Sequence, residues 1–414
     1  MKKQVAYLFS LIFITFLMAA CKNAGLSDLQ NGSWRATLKT ATGVEIPFNF
    51  ELADSAGSKY LDIINGKERL RVNEITLDGD SILIQMPLFD SEIRAALRGK
   101  NLQGRWIKHL ASTDVSMPFK AEYGADWRFF KASDEAGVNL SGKWSVTFVA
   151  DETKDTTLAI GQFEQDGNKL YGTFLTTTGD YRFLEGTVSG DKFYISCFDG
   201  SHAFLFSGKV SGNSITDGKM YSGYTATEHW TAQKDDQAVL PDAYSLTDLK
   251  PGYQGIDFTF PDLDGNPVSL KDPAFKNKVV VVQFFGSWCP NCMDETAFMV
   301  PFYNKYKDKG LAVVGLAYER TTDRERSLKN VSRLKERFKV PYPLLLTGYT
   351  NEKGQVVRSI PALKQFLAFP TTIIIDKKGT VRKIHTGFSG PGTGTYYTEF
   401  AEEFERLISD LLAE

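Results

Sequence analysis

The stretch VVVVQFFGSWCPNCMDE occupies residues 279–295. Its first seven residues are hydrocarbon except for Gln283, the pattern of a strand buried on both faces. Gly286 and Ser287 break that run, and Cys289 and Cys292 follow where the spacing predicts the first turn of a helix. The chain has four cysteines in 414 residues, and two of them stand here, three positions apart. Disulfide exchange needs one thiolate to attack a sulfur and a second thiol to resolve the mixed disulfide. At a helix start the first cysteine meets unpaired N–H groups and the positive end of the helix dipole, which favour its thiolate. Cys289 is therefore expected to attack and Cys292, one turn further in, to resolve. Pro290 suits the first helical position, where its missing N–H is not needed, and Trp288 is expected to cover one side of the pair.

Helical spacing adds a third residue. Cys292, Glu295, Met299, Phe302 and Tyr306 differ by three or four positions and so share one face. The other occupants are mostly large and apolar, which sets Glu295 against the core beside Cys292. Desolvation there raises a carboxyl's pKa, and Glu295 is expected to exchange a proton with Cys292 as the pair cycles. The plainer alternative is a glutamate that reaches the surface and forms an ordinary helix pair.

Working outward, residues 311–317 (LAVVGLA) form another buried strand, and Leu328, Val331, Leu334 and Phe338 keep helical spacing. Residues 371–375 and 381–385 bracket Lys378-Gly379 as a hairpin, and Phe400, Phe404, Leu407 and Leu411 make the apolar stripe of a last helix. A shorter hairpin is expected upstream, around Asp264-Gly265. Together these predict an α/β layer fold with a mixed central sheet over residues 252–414.

These residues, with Phe369-Pro370-Thr371-Thr372 before a strand, resemble the thioredoxin superfamily, and most of all its membrane-tethered TlpA/ResA group of thiol–disulfide oxidoreductases. The resemblance implies that Cys289 attacks, Cys292 resolves, Glu295 assists, and Pro370 is a cis-proline packed against the pair. Trp288, Pro290, Phe369 and Pro370 become the expected contacts with the substrate. Two departures stand out. Gln283 takes the place of the buried aspartate of thioredoxin itself, and Ala297 stands where the group often has proline, with Pro301 one turn later. The resemblance further implies protein thiol or disulfide substrates, a membrane partner that supplies electrons, and a reductase direction. No metal and no diffusible cofactor are expected. A zinc site would need a second pair of ligands, and only Cys197 and four histidines are left besides Cys21.

The remainder of the chain reads differently. Between residues 27 and 235, short alternating segments recur between turn signals such as Asp78-Gly79, Asp166-Gly167 and Asp217-Gly218. This predicts an all-β region, sandwich or barrel. Gly32-Ser33-Trp34 and Gly142-Lys143-Trp144 both open strands, which suggests two repeated modules at 27–130 and 137–235, with 236–251 as linker. A Gly-x-Trp opening also resembles the start of lipocalin-like barrels, though two buried core aromatics explain it as well. Cys197 alternates with Phe193 and Ile195 and is expected to be a buried, inert thiol. No catalytic constellation stands out in this half.

The N-terminus carries an address. Lys2 and Lys3 precede the apolar run 5–18 and then Ala19-Ala20-Cys21, a signal peptide of residues 1–20 ending in a pattern similar to a bacterial lipobox. Cys21 would carry the lipid and residues 21–26 would tether the domains, which places the protein in the cell envelope, on the periplasmic side or the outer surface. A net charge of −2, from 48 basic and 50 acidic residues, gives no footprint for nucleic acid. The expected function is an exported, lipid-anchored thiol–disulfide oxidoreductase. The alternatives are a ligand-binding surface lipoprotein with an accessory thiol domain, or a peroxiredoxin-like peroxidase.

Overall fold

The computed structural model describes residues 29–414. The expected signal peptide and the Cys21 anchor lie outside the described residues. Among those described, no helix is long and apolar enough to cross a membrane.

Two nine-stranded antiparallel sheets come first. In the first, each strand pairs with its sequence neighbour and the first, Gly32–Lys39, pairs with the last, Asp114–Tyr123. The ring is left open only between Glu68–Val72 and Glu74–Asp78, which Asn73 alone separates. The second sheet closes fully: Thr156–Asp166 pairs with both Gly142–Ala150 and Lys169–Thr176, so eight strands form a ring and the two-residue strand Gly179–Asp180 hangs from it. Of the two architectures left open by the alternating pattern, both sheets adopt the barrel. The core of the first barrel lies around Trp34, Phe48 and Trp106 and takes in Phe198, Ala203 and Leu205 of the second barrel, whose own core lies around Trp144, Phe174 and Trp230.

The two barrels open in the same way. Gly32 and Gly142 have φ of 120° and 109°, a conformation that a side chain would strain. Two residues on, Trp34 donates its ring N–H to Gln30 O at 3.0 Å and Trp144 donates to Leu140 O at 2.8 Å, each reaching back four residues. A buried indole keeps its hydrogen bond in this way while the ring fills the core.

The C-terminal α/β domain has a five-stranded sheet in the order Leu344–Thr350, Leu311–Glu319, Val279–Phe285, Thr371–Ile375, Val381–Thr386. The first three are parallel and the last two antiparallel. Every residue of Val279–Phe285 is buried because alternate side chains serve opposite faces. Val279, Val281 and Phe285 pack under helices α1 (Pro290–Tyr306), α2 (Arg324–Phe338) and α4 (Thr395–Ala413). Val280, Val282 and Phe284 pack with Ile256, Phe258 and the short helix α3 (Lys353–Ser359) on the other face. The strand Leu344–Thr350 and α3 were not expected from sequence, because three leucines followed by Thr-Gly-Tyr-Thr and a two-turn helix carry little periodicity.

The barrels sit against this domain. Helix α2 turns Arg326, Asn330, Arg333 and Arg337 toward the first barrel, where they meet Asp90, Glu74 and the main chain of Arg71. Leu88 and Phe89, from the turn before strand Ser91–Arg98, join the apolar cluster under α1 and α2 rather than their own barrel's core.

Candidate functional site

The break at Gly286 and Ser287 delivers the chain from the central strand to α1, and Cys289 caps that helix. Its backbone is extended (φ −106°, ψ 114°), and its sulfur accepts the N–H of Cys292 at 3.3 Å. A sulfur in this position takes the role of an oxygen N-cap, satisfying one of the unpaired donors of the first turn. Cys289 is 6% exposed and Cys292 is fully buried. Both are free thiols, and burial pushes the Cys292 thiol well above its ordinary range.

The loop that carries Cys289 is held by a second buried carboxylate. Glu319, at the end of the adjacent strand, accepts both the backbone N–H and the hydroxyl of Ser287, each at 2.8 Å. Trp288 donates its ring N–H to Tyr318 O at 2.9 Å and meets Phe369 edge-on at 5.5 Å. The Arg320 guanidinium lies 5.0 Å from the Trp288 ring centre. Phe369 brings its carbonyl within 3.8 Å of the Cys289 sulfur, and the Phe369–Pro370 peptide bond is cis.

Glu295 is 1% exposed, one turn beyond Cys292 on the face predicted by spacing. Gln283 donates its amide to one carboxyl oxygen and Thr372 its hydroxyl to the other, both at 2.6 Å. Tyr342 donates to the Gln283 carbonyl at 3.4 Å, which orients that amide. Burial lifts the Glu295 carboxyl to about 7 while the two hydrogen bonds hold it down. The group thus changes charge near neutrality, where a proton acceptor is most useful.

Buried residues on α1 extend past the predicted face. Met293, Asp294 and Thr296 are also buried: Met293 joins the apolar cluster with Leu88 and Phe89, Thr296 bonds to Cys292 O, and Arg182 of the second barrel covers Asp294. Arg182 binds Asp294 through Nε at 2.8 Å and Nη2 at 3.0 Å, and it also reaches Glu68 of the first barrel at 2.6 Å. One buried arginine thus faces Glu68, Asp199 and Asp294 together, and burial outweighs it at Asp294, whose carboxyl rises to about 7. No local signal marks Arg182 in the sequence, since its hydrogen-bonded partners Glu68 and Asp294 lie more than a hundred residues away. Thr372, Ser287 and Glu319 were also passed over. The buried polar residue at the end of an all-apolar strand was the cue for Glu319.

Cys197 is buried in the core of the second barrel, where desolvation raises its thiol well above the ordinary value. His385 is 7% exposed, shares a 3.0 Å hydrogen bond between Nδ1 and Gly387 O, and is lowered to about 4 by burial. Pro290 stands at the first turn of α1, and Pro301 lies within a helix that continues past it.

The C-terminal α/β domain is similar to known proteins. The Redoxin family model matches residues 250–398. Thioredoxin-like protein YneN of Bacillus subtilis is 33% identical over 139 residues, which cover 34% of this chain and 73% of that protein. Thiol-disulfide oxidoreductase ResA of Bacillus thuringiensis subsp. konkukian is 31% identical over 130 residues, 31% of this chain and 66% of that one. A thioredoxin-family thiol:disulfide interchange protein of Chlorobium tepidum, known from its crystal structure, is 23% identical with a TM-score of 0.30, covering 40% of this chain and 99% of its own. None of these matches takes in more than two fifths of the chain. Through its C-terminal α/β domain, the chain belongs to the thioredoxin-like thiol–disulfide oxidoreductases.

Proposed function

We propose that the protein is an exported, lipid-anchored reductase of protein disulfides in the cell envelope. Cys289 attacks one sulfur of a partner disulfide and forms a mixed disulfide, releasing the other partner sulfur as a thiolate that takes up a proton. Cys292 then gives its proton to Glu295 and attacks the Cys289 sulfur. The Cys289–Cys292 disulfide forms, the second partner thiolate leaves, and two electrons have passed to the partner. A membrane-bound dithiol resets the pair by the same exchange in reverse. Trp288, Pro290, Phe369 and Pro370 shape the surface on which the partner's chain lies. Along the chain the two barrels lie between the Cys21 anchor and the thiol domain.

The observation that carries this reading is the Glu295 carboxyl at about 7, buried one turn from a buried thiol that must lose its proton. Among the described residues, the hydrogen-bond partners of Glu295 are an amide and a hydroxyl and no ion pair explains its burial, and such perturbed groups cluster at catalytic centres. The test is a trap. A Cys292→Ala protein exposed to cell-envelope extract should accumulate mixed disulfides through Cys289, and a Cys289→Ala protein should accumulate none. Equal capture by both would overturn the assignment of roles.

A further inference from the structure

The protein's own second barrel is seated beside the cysteine pair. Trp288, Asn291 and Asp294 surround Cys289 and Cys292 in sequence, and each is engaged by that barrel. Ser201 donates its hydroxyl to Trp288 O at 3.2 Å. Asn291, between the cysteines, donates its side-chain amide to Asp180 O at 3.3 Å. Arg182 grips Asp294 with two hydrogen bonds. The loop after the last strand completes the enclosure. Gly390 N–H donates to the Asp180 carboxylate at 2.6 Å, and a Cβ placed on Gly387 would lie 2.7 Å from the Thr178 backbone. Lys108 of the first barrel backs the Ser201 turn, donating to Ser201 O at 2.6 Å.

This enclosure conflicts with the geometry of exchange. Two cysteines joined by a disulfide have Cα atoms about 5.5 Å apart, so a partner's main chain must come that close to Cys289. A thiol left 6% exposed, with barrel segments 178–182 and 199–202 seated on its flanks, does not admit a flat protein face at that distance. A single extended strand or a small disulfide needs far less room. Separating the wall would also expose Arg182, which is 3% exposed and ties α1 to both barrels.

We propose that Asp180, Arg182 and Ser201 are specificity-determining residues for the exchange. They wall the pair so that it accepts small disulfides and narrow, extended cysteine-bearing segments and rejects a disulfide set in the face of a folded protein. The proposal rests on Cys289 being the attacking sulfur.

The test compares the rates at which the pre-reduced full-length protein consumes oxidised glutathione and insulin. In Arg182→Gln and Asp180→Ala, the insulin-to-glutathione rate ratio should rise about tenfold above wild type, while Arg182→Lys should keep the wild-type ratio. Asp180→Ala leaves the Arg182 ion pairs in place, so it remains informative if Arg182→Gln unfolds. An unchanged ratio in the folded variants overturns the wall. A wild-type protein that consumes neither disulfide, with both thiols titratable, overturns the exchange reading and the wall together.

Discussion

Gln283 donates its side-chain amide to the Glu295 carboxylate at 2.6 Å, from the central strand to the first helix, one turn from Cys292. The amide stabilises the charged carboxylate in a site that burial would otherwise keep neutral. A hydrogen bond to a charged group contributes about 1.5–3 kcal/mol. Gln283→Leu should therefore move the Glu295 titration about one to two pH units higher, and the resolving step should follow it. Carboxyl-carbon NMR of Glu295, with the pH profile of mixed-disulfide resolution, checks this; two profiles that coincide with wild type would separate Gln283 from the chemistry.

Glu295 also sets a pH dependence of stability. Its folded-state value of about 7 lies above the ordinary 4.5, so the native state holds this proton more tightly than the unfolded chain. The stability it contributes is complete below about pH 4.5 and is lost as pH rises through 7. At about 1.4 kcal/mol per pH unit, the loss between those limits is about 3 kcal/mol. In Glu295→Gln that loss should vanish, which denaturant midpoints at pH 4 and pH 8 would reveal.

Glu319 holds the loop that presents Cys289. Glu319→Ala leaves the buried Ser287 N–H and hydroxyl without their acceptor, at a cost of about 2–3 kcal/mol. The variant should melt at a lower temperature, and Cys289 should react with a small alkylating agent at an altered rate because its loop is no longer fixed. Glu319→Gln keeps an acceptor oxygen and should restore most of the stability. Melting curves and alkylation rates measured on both variants decide.

The barrel openings give a paired test. Trp144→Phe removes a fully buried indole N–H with its bond to Leu140 O, and Trp34→Phe removes the matching bond to Gln30 O. Each should destabilise its barrel by about 1–3 kcal/mol through the small cavity and the lost hydrogen bond. Proteolysis mapped by mass spectrometry should show each cut confined to the barrel that carries the change.

Much of the α/β domain was readable in advance because its signals are local. A strand buried on both faces, a Cys-x-x-Cys pair at a helix start and a stripe of Cys292, Glu295, Met299, Phe302 and Tyr306 all follow from spacing within one turn or one strand. The all-β character of the first half was equally plain, since alternation with turn residues needs no knowledge of partners. Strand pairing was not. Closing the second ring joins Thr156–Asp166 to a strand on each side, and alternation alone is the same in a sandwich.

What the sequence by itself determined is therefore a set of residues and their seat: two thiols, a glutamate on the same helical face and the helix start that orders them. Only the tertiary structure decided who can reach them. Arg182 meets Asp294 across 112 residues of chain, and Ser201 meets Trp288 across 87. Contacts of that kind arise from how the two barrels and the α/β domain pack together, and no periodicity along the chain encodes them.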